Sequence, residues 1–115
     1  MHEFSLAGEV IKLAETEAVK NKAQKVNEIT IEVGDFSGVQ TEFFKSALEI
    51  LSEGTMLFKT RLNIVRKKGI GICPECEKEF EMNQRIDTCP VCHSFPSEIK
   101  GGYEFRVVSL LIEEE

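Results

Sequence analysis

Four cysteines constrain this chain more than any other feature, because their spacing indicates a metal site. They occur as two Cys-Pro-x-Cys pairs in the pattern C-x2-C-x12-C-x2-C: Cys73, Cys76, Cys89 and Cys92. Two intervening residues let a tight turn direct both thiolates of a pair at one point, so two pairs supply four soft ligands in a tetrahedron. The pattern predicts structural zinc. The alternatives are a mononuclear iron site with the same ligands and a pair of redox dithiols.

The ligand count argues against a catalytic metal, because four protein ligands leave no open position for activating water. All of the chain's cysteines belong to this pattern. The surrounding segment holds few large apolar residues, so we expect its folding to require the metal. His93 follows Cys92 directly, and it is either an exposed flanking residue or a spare or outer ligand of the site.

The rest of the chain predicts an α+β fold. Apolar residues recur at helical spacing over residues 5–21 and again from Phe44 to Leu51, with Gly54 ending the second helix. Residues 27–33 alternate as a half-buried strand, and two further strands are predicted over residues 57–65 and 103–112. We therefore expect a small mixed three-stranded sheet with two helices, plus an inserted four-cysteine domain that resembles a zinc ribbon. The third strand is expected to pair antiparallel with the second.

The cysteine segment lies between the last two predicted strands, bracketed by short basic and glycine-containing stretches. This predicts an α/β domain over residues 1–67 and 103–115 and an inserted zinc-binding domain over residues 68–102. A net charge of -6 argues against nucleic-acid binding. No run of apolar residues is long enough for a membrane span, and the amino end lacks the pattern of a signal peptide. The expectation is a soluble cytoplasmic protein, monomeric or homodimeric.

The amino terminus is a second candidate metal site. His2 places an imidazole one residue from the α-amine of Met1, and the His2 backbone nitrogen lies between them. Together these donors can chelate one ion, with Glu3 adding a backbone nitrogen or a carboxylate. A nitrogen-rich planar set suits Ni(II) or Cu(II) better than zinc. The alternative is an ordinary frayed terminus with a surface histidine.

The whole pattern resembles the HypA/HybF family of nickel metallochaperones for [NiFe]-hydrogenase maturation. The resemblance rests on the Met-His-Glu-Phe-Ser-Leu start, the strand ending Ile-Glu-Val-Gly at residue 34, and the cysteine spacing. It implies nickel as cargo on Met1, His2 and Glu3, and structural zinc on the four cysteines. It also implies two partners, a HypB-type GTPase and the hydrogenase large-subunit precursor, while some members serve urease.

The sequence departs from the family pattern at two places. Some members carry an acidic residue at the position of Gln40, which here offers a carbonyl oxygen at best. Some members also place histidines beside both cysteine pairs, whereas Glu77 follows the first pair here. The chain shows no nucleophile–base pair and no glycine-rich phosphate loop, so an enzyme is not expected. The rival interpretation is a zinc-ribbon module that binds protein or nucleic acid, although glutamates at 75, 77, 79 and 81 oppose phosphate binding.

Overall fold

The structure is a computed structural model that describes residues 2–114. The chain divides into two compact units, one of residues 1–31, 39–64 and 107–115, and one of residues 32–38 and 65–106. The elements in chain order are α1 (Glu3–Lys20), β1 (Ala23–Gly34), α2 (Thr41–Ser52), β2 (Arg61–Lys67), β3 (Gly69–Ile72), β4 (Glu79–Met82), β5 (Glu98–Lys100) and β6 (Phe105–Glu114).

Both helices form where the apolar spacing predicted them. Helix α1 begins at Glu3, two residues earlier than expected, and an acidic residue in its first turn is favourable to the helix dipole. It ends at Lys20, where the Asn21 side chain donates to the Glu17 carbonyl (2.8 Å). Helix α2 begins after the extended residue Gln40 and is followed by Gly54 in the left-handed region (φ 77°). Neither helix among residues 2–114 offers the apolar length that a bilayer crossing needs.

The first sheet has the strand order β2-β1-β6. The prediction that the third main strand pairs with the second is therefore wrong, since β6 lies beside β1. Strand β2 runs parallel to β1, because Thr60 Oγ1 donates to the Val26 carbonyl (2.6 Å) and Asn63 Nδ2 donates to Glu28 (2.6 Å). A parallel neighbour requires a crossover, and α2 provides it. The crossover places β2 along one edge of β1, so the other edge of β1 is left for β6.

Strand β6 is antiparallel to β1. Near the start of β1, Asn27 lies beside Glu113 (3.3 Å), whereas near its end Glu32 accepts from Arg106 (2.7 Å). The two neighbours of β1 thus run in opposite directions, which confirms the mixed three-stranded sheet predicted from the sequence.

Strand β2 begins at Arg61, later than the predicted residue 57. Successive turns occupy the intervening residues: the Phe58 N–H donates to Thr55 (3.3 Å) and the Thr60 N–H donates to Leu57 (3.1 Å). Leu57 is buried within these turns. Its apolar side chain correctly indicated a core residue, but the residue lies in a turn and not in the strand predicted from the sequence.

The core of the first unit lies on α1, β1 and α2. Alternate residues of β1 and the inner faces of both helices are buried, as the two periodicities require. The buried apolar residues are Ala7, Val10, Ile11, Ala14, Ala18, Val26, Ile29, Ile31, Phe44, Ala47, Leu48 and Leu57.

The second unit contains a three-stranded antiparallel sheet in the order β4-β3-β5. In this sheet Gly71 lies opposite both Phe80 and Ile99. Close packing requires glycine at position 69, because a Cβ there would overlap the Phe36 ring. Strand β3 leads directly into the first cysteine, so the sheet fixes where that side chain lies.

Candidate metal centre

The four cysteines predicted as metal ligands converge in the second unit. Their Sγ atoms all lie within 4.8 Å of one another, and among residues 2–114 this cluster contains the four cysteines and not His93. A tetrahedral ion with metal–sulfur bonds of about 2.3 Å places its sulfurs about 3.8 Å apart. The cluster therefore has the size that a single tetrahedral ion requires.

The two cysteine pairs form equivalent turns, which we call the first and second knuckles (residues 73–78 and 89–94). Both knuckles contain the same two backbone hydrogen bonds. The N–H of the first cysteine donates to the carbonyl of the knuckle's last residue, and the N–H of the residue after the second cysteine donates to the carbonyl of the first cysteine. The bonds are Cys73 N–H to Lys78 O (3.0 Å) and Glu77 N–H to Cys73 O (2.9 Å), then Cys89 N–H to Ser94 O (2.9 Å) and His93 N–H to Cys89 O (2.9 Å). Backbone hydrogen bonds within each knuckle thus set the direction of its cysteine side chains.

The residue after each knuckle's second cysteine adopts a left-handed backbone. Glu77 has φ 58° and His93 has φ 63°, a conformation that favours glycine. The sequence left His93 as either an exposed flanking residue or a spare or outer ligand. Its position in the structure adds a backbone role, because the left-handed turn brings its N–H back to the Cys89 carbonyl.

Cys92 and Cys76 have pKa values shifted in opposite directions, because their thiols share hydrogen bonds within the cluster. The pKa of Cys92 is lowered to about 6, first by the Ser94 side chain, then by the Ser94 N–H and by Cys73. The pKa of Cys76 is raised to about 12, first by Cys92 and then by Cys73. One thiolate is therefore stabilised by protons on its neighbours. A divalent cation can replace those protons and balance the negative charge.

The donor set fits a closed structural metal site. Four sulfurs are soft ligands that suit zinc or iron, and they fill a tetrahedron without an open position. Cys73 and Cys89 are buried, while Cys76 and Cys92 lie nearer the surface. All four thiols join one cluster, an arrangement that favours a single ion over two separate redox dithiols.

The amino-terminal candidate site is partly described. Met1 lies outside the described residues. His2 is the exposed N-cap residue of α1, its side chain makes no capping hydrogen bond, and its carbonyl accepts from the Leu6 N–H (2.8 Å). Glu3 is only 6% exposed, and its Oε2 accepts from the Gln40 N–H (3.2 Å).

Two residues contribute in ways that the sequence does not predict. The sequence points to the Gln40 side chain, but the contact with Glu3 is made by the Gln40 backbone N–H at the start of α2. The Ser94 hydroxyl lies 3.3 Å from Cys92 Sγ. A serine two residues after a ligating cysteine was the available signal for Ser94, whereas no local pattern indicates the backbone contact.

Fold and site together define a small α+β metal-binding protein with a four-cysteine centre. A family model described as "Hydrogenase/urease nickel incorporation, metallochaperone, hypA" matches residues 1–112. The chain belongs to the HypA family of nickel metallochaperones for hydrogenase maturation, as the sequence resemblance predicted. This family is not a class of enzymes.

Curated relatives and solved structures agree with the family match. The chain is 36% identical over 115 residues to a hydrogenase maturation factor HypA from Parabacteroides distasonis, covering 100% of both chains. It is 34% identical over 111 residues to HypA from Francisella philomiragia, covering 96% of this chain and 98% of that one. The solution structure of the Ni metallochaperone HypA from Helicobacter pylori matches with a TM-score of 0.69 and 32% identity, covering 100% of both chains. These matches confirm the α+β fold class.

Proposed function

We propose that this chain binds Ni(II) at its amino terminus and delivers it during maturation of [NiFe]-hydrogenase. The observation that carries the proposal is the family match, which begins at residue 1 and so includes the Met-His-Glu start. The proposed ligands are Met1, His2 and Glu3. The proposed partners are a HypB-type GTPase and the hydrogenase large-subunit precursor in the cytoplasm, and urease is proposed as a second recipient.

The start of α1 suits a nitrogen-rich site. The helix's own hydrogen bonds do not use its first N–H groups, so a metal that displaces their protons does not break the helix. The exposed His2 side chain, with no capping hydrogen bond, is available to the same ion. Amine, backbone nitrogen and imidazole are the donors that Ni(II) prefers in a planar arrangement.

Glu3 contributes in this proposal through its backbone nitrogen. Its carboxylate is buried and accepts a hydrogen bond from the Gln40 N–H at the start of α2. A negative group is favourable at a helix N-terminus, so this contact links the beginnings of the two helices. The carboxylate thereby positions the first turn of α1.

We further propose that the four cysteines hold structural zinc, and that residues 68–102 form an inserted zinc-binding domain beside a nickel-binding domain of residues 1–67 and 103–115. The thiolate cluster and the small apolar content of the inserted segment support this assignment. Zinc fits because a closed four-sulfur site supplies folding energy without reactivity.

Calorimetric titration of nickel tests the delivery site. We expect the native protein to bind one nickel ion, and we expect binding to be lost in a version extended at its amino terminus, because an amide replaces the amine donor. His2→Ala should lose binding as well. The chain has two histidines, so His93→Ala is a matched control that should bind normally. Equal affinity in the native and extended proteins would exclude the terminal site. Circular dichroism of every variant shows whether the helices of the first unit are folded, and zinc content shows whether the four-cysteine site is intact.

A further inference from the structure

We propose that a basic groove in the second unit is a docking surface for an acidic peptide segment of a partner protein. The groove has a volume of about 610 Å³, and every residue that lines it belongs to the second unit. Its cationic lining consists of Arg66, Lys67, Lys68, Lys100 and Arg106.

Cations outnumber carboxylates among the side chains that line the groove. Five cations and three carboxylates line it, and two carboxylates outside the lining pair with two of these cations, Asp35 with Arg66 (2.9 Å) and Glu79 with Lys100 (3.1 Å). The chain as a whole has 20 acidic and 14 basic residues. The rest of the chain is therefore strongly acidic. A cationic groove within an acidic protein attracts negatively charged groups to one place and disfavours their approach elsewhere.

Two of the three carboxylates are already bound by the protein's own donors. Glu32 accepts from Arg106 Nε (2.7 Å) and lies 3.5 Å from Lys67 Nζ. Glu104 accepts from the Gly102 N–H (2.7 Å). Because the Glu32 contacts hold the Arg106 and Lys67 side chains in place and use only part of their donors, hydrogen bonds remain available to an incoming carboxylate.

Two lysines at the groove are anchored in a similar way. Lys68 Nζ donates to Asn83 Oδ1 (3.0 Å), and Lys100 Nζ donates to Glu79 (3.1 Å). Each ammonium group has three donors, so each retains donors for a ligand. Anchored side chains lose less conformational entropy when a ligand binds, which favours a specific surface over a diffuse one.

The surroundings of the groove favour a peptide over a nucleic acid. Strand β4 carries exposed Glu79 and Glu81, and Glu81 itself lines the groove. Glu75 and Glu77 continue this acidic row towards the first knuckle. A long phosphate chain would run against these carboxylates, whereas a short peptide can place a few carboxylates on the five cations.

The test is a titration of ¹⁵N-labelled protein with a capped hexaglutamate peptide, followed by amide chemical shifts. Capped hexaglutamine is the neutral control. We expect shifts at residues 66–68 and 100–106, and weaker binding as ionic strength rises from about 0.05 to about 0.15 M. The double variant Lys68→Gln/Lys100→Gln should bind about two- to thirty-fold more weakly, given what exposed ion pairs contribute. Lys12→Gln, an exposed cation on α1, is the matched control and should bind like the wild type.

Several outcomes would overturn the proposal. These are no binding of hexaglutamate, equal affinity in the double variant and the wild type, or shifts confined to residues outside the groove. Tighter binding of hexathymidylate than of hexaglutamate would assign the groove to nucleic acid instead. Zinc content and unperturbed shifts in the first unit verify that each variant is folded. Because the titration contains no nickel, its result is independent of the nickel-delivery proposal.

Discussion

Removal of the zinc proposed for the four cysteines is expected to unfold the strands around them while the first unit stays folded. Among the described residues of the second unit, the buried apolar side chains are two ligands, Cys73 and Cys89, and three others, Val33, Phe36 and Met82. Burying three such side chains at about 1.5–3 kcal/mol each stabilises by about 4.5–9 kcal/mol. Fixing the backbone of the eleven residues of β3, β4 and β5 costs about 11–22 kcal/mol. The three side chains therefore cannot hold these strands, whereas structural zinc supplies about 10–16 kcal/mol.

Hydrogen exchange with mass spectrometry measures this effect segment by segment along the chain. Zinc-loaded protein should protect the amides of β3 and β4, and protein stripped with a chelator should lose that protection almost completely. The amides of α1 and α2 serve as the internal control and should remain protected in both samples, because the buried residues described for their core include no cysteine.

One result would refute the reasoning about zinc. If β3 and β4 were equally protected with and without zinc, the strands would be stable through contacts other than the metal. The variant Met82→Ala supplies a second measurement, with an expected loss of about 2–5 kcal/mol of local stability in the zinc-loaded protein. A loss much larger than that would mean that packing, and not the metal, dominates this segment.

Three further expectations concern single residues. His93→Gly should retain one zinc per chain and raise stability by about 1 kcal/mol in chemical denaturation, because glycine adopts the left-handed backbone without strain; loss of zinc would instead make His93 a ligand. The pKa of Glu32 is lowered, first by the hydrogen bond from Arg106 and also by Lys67. The ionised carboxylate therefore stabilises the fold at any pH above the ordinary glutamate pKa near 4.5. This contribution disappears as the pH falls through the lowered pKa. The stability difference between wild type and Glu32→Gln should thus be present at pH 7 and vanish in acid; a difference independent of pH would contradict the ion-pair assignment. Phe44→Ala should cost about 3–5 kcal/mol in the first unit, because the ring is fully buried, and leave zinc content unchanged.

Local patterns in the sequence predicted the helices, the main strands and the four-cysteine cluster. Helical spacing located α1 and α2 because each has one buried face, and strict alternation located β1 for the same reason. Each cysteine pair was predictable because a knuckle of fixed length brings its own two thiolates together. In each case the signal lies within a few residues of the structure that it predicts.

The pairing of distant strands could not be predicted from local patterns. The position of β6 beside β1 depends on the crossover through α2, which no short stretch of sequence encodes. The contact between Glu3 and the Gln40 backbone could not be predicted either, because nearly every residue carries the same backbone N–H donor. The turns before β2 were mistaken for strand because Leu57 is apolar and buried, and burial alone does not distinguish a turn from a strand.

The unequal depth of the two cysteines within each knuckle has a consequence for metal exchange. Cys73 and Cys89 are buried, and Cys76 and Cys92 lie nearer the surface. A competing chelator therefore meets the outer sulfurs first, and the ion leaves by stepwise exchange, with the inner sulfurs the last to let go. While the inner bonds hold, the outer sulfurs can recapture the ion, so we expect the proposed zinc to exchange slowly. If nickel is delivered from the amino terminus as proposed, slow exchange at the cysteines would keep the two metals on separate ligands.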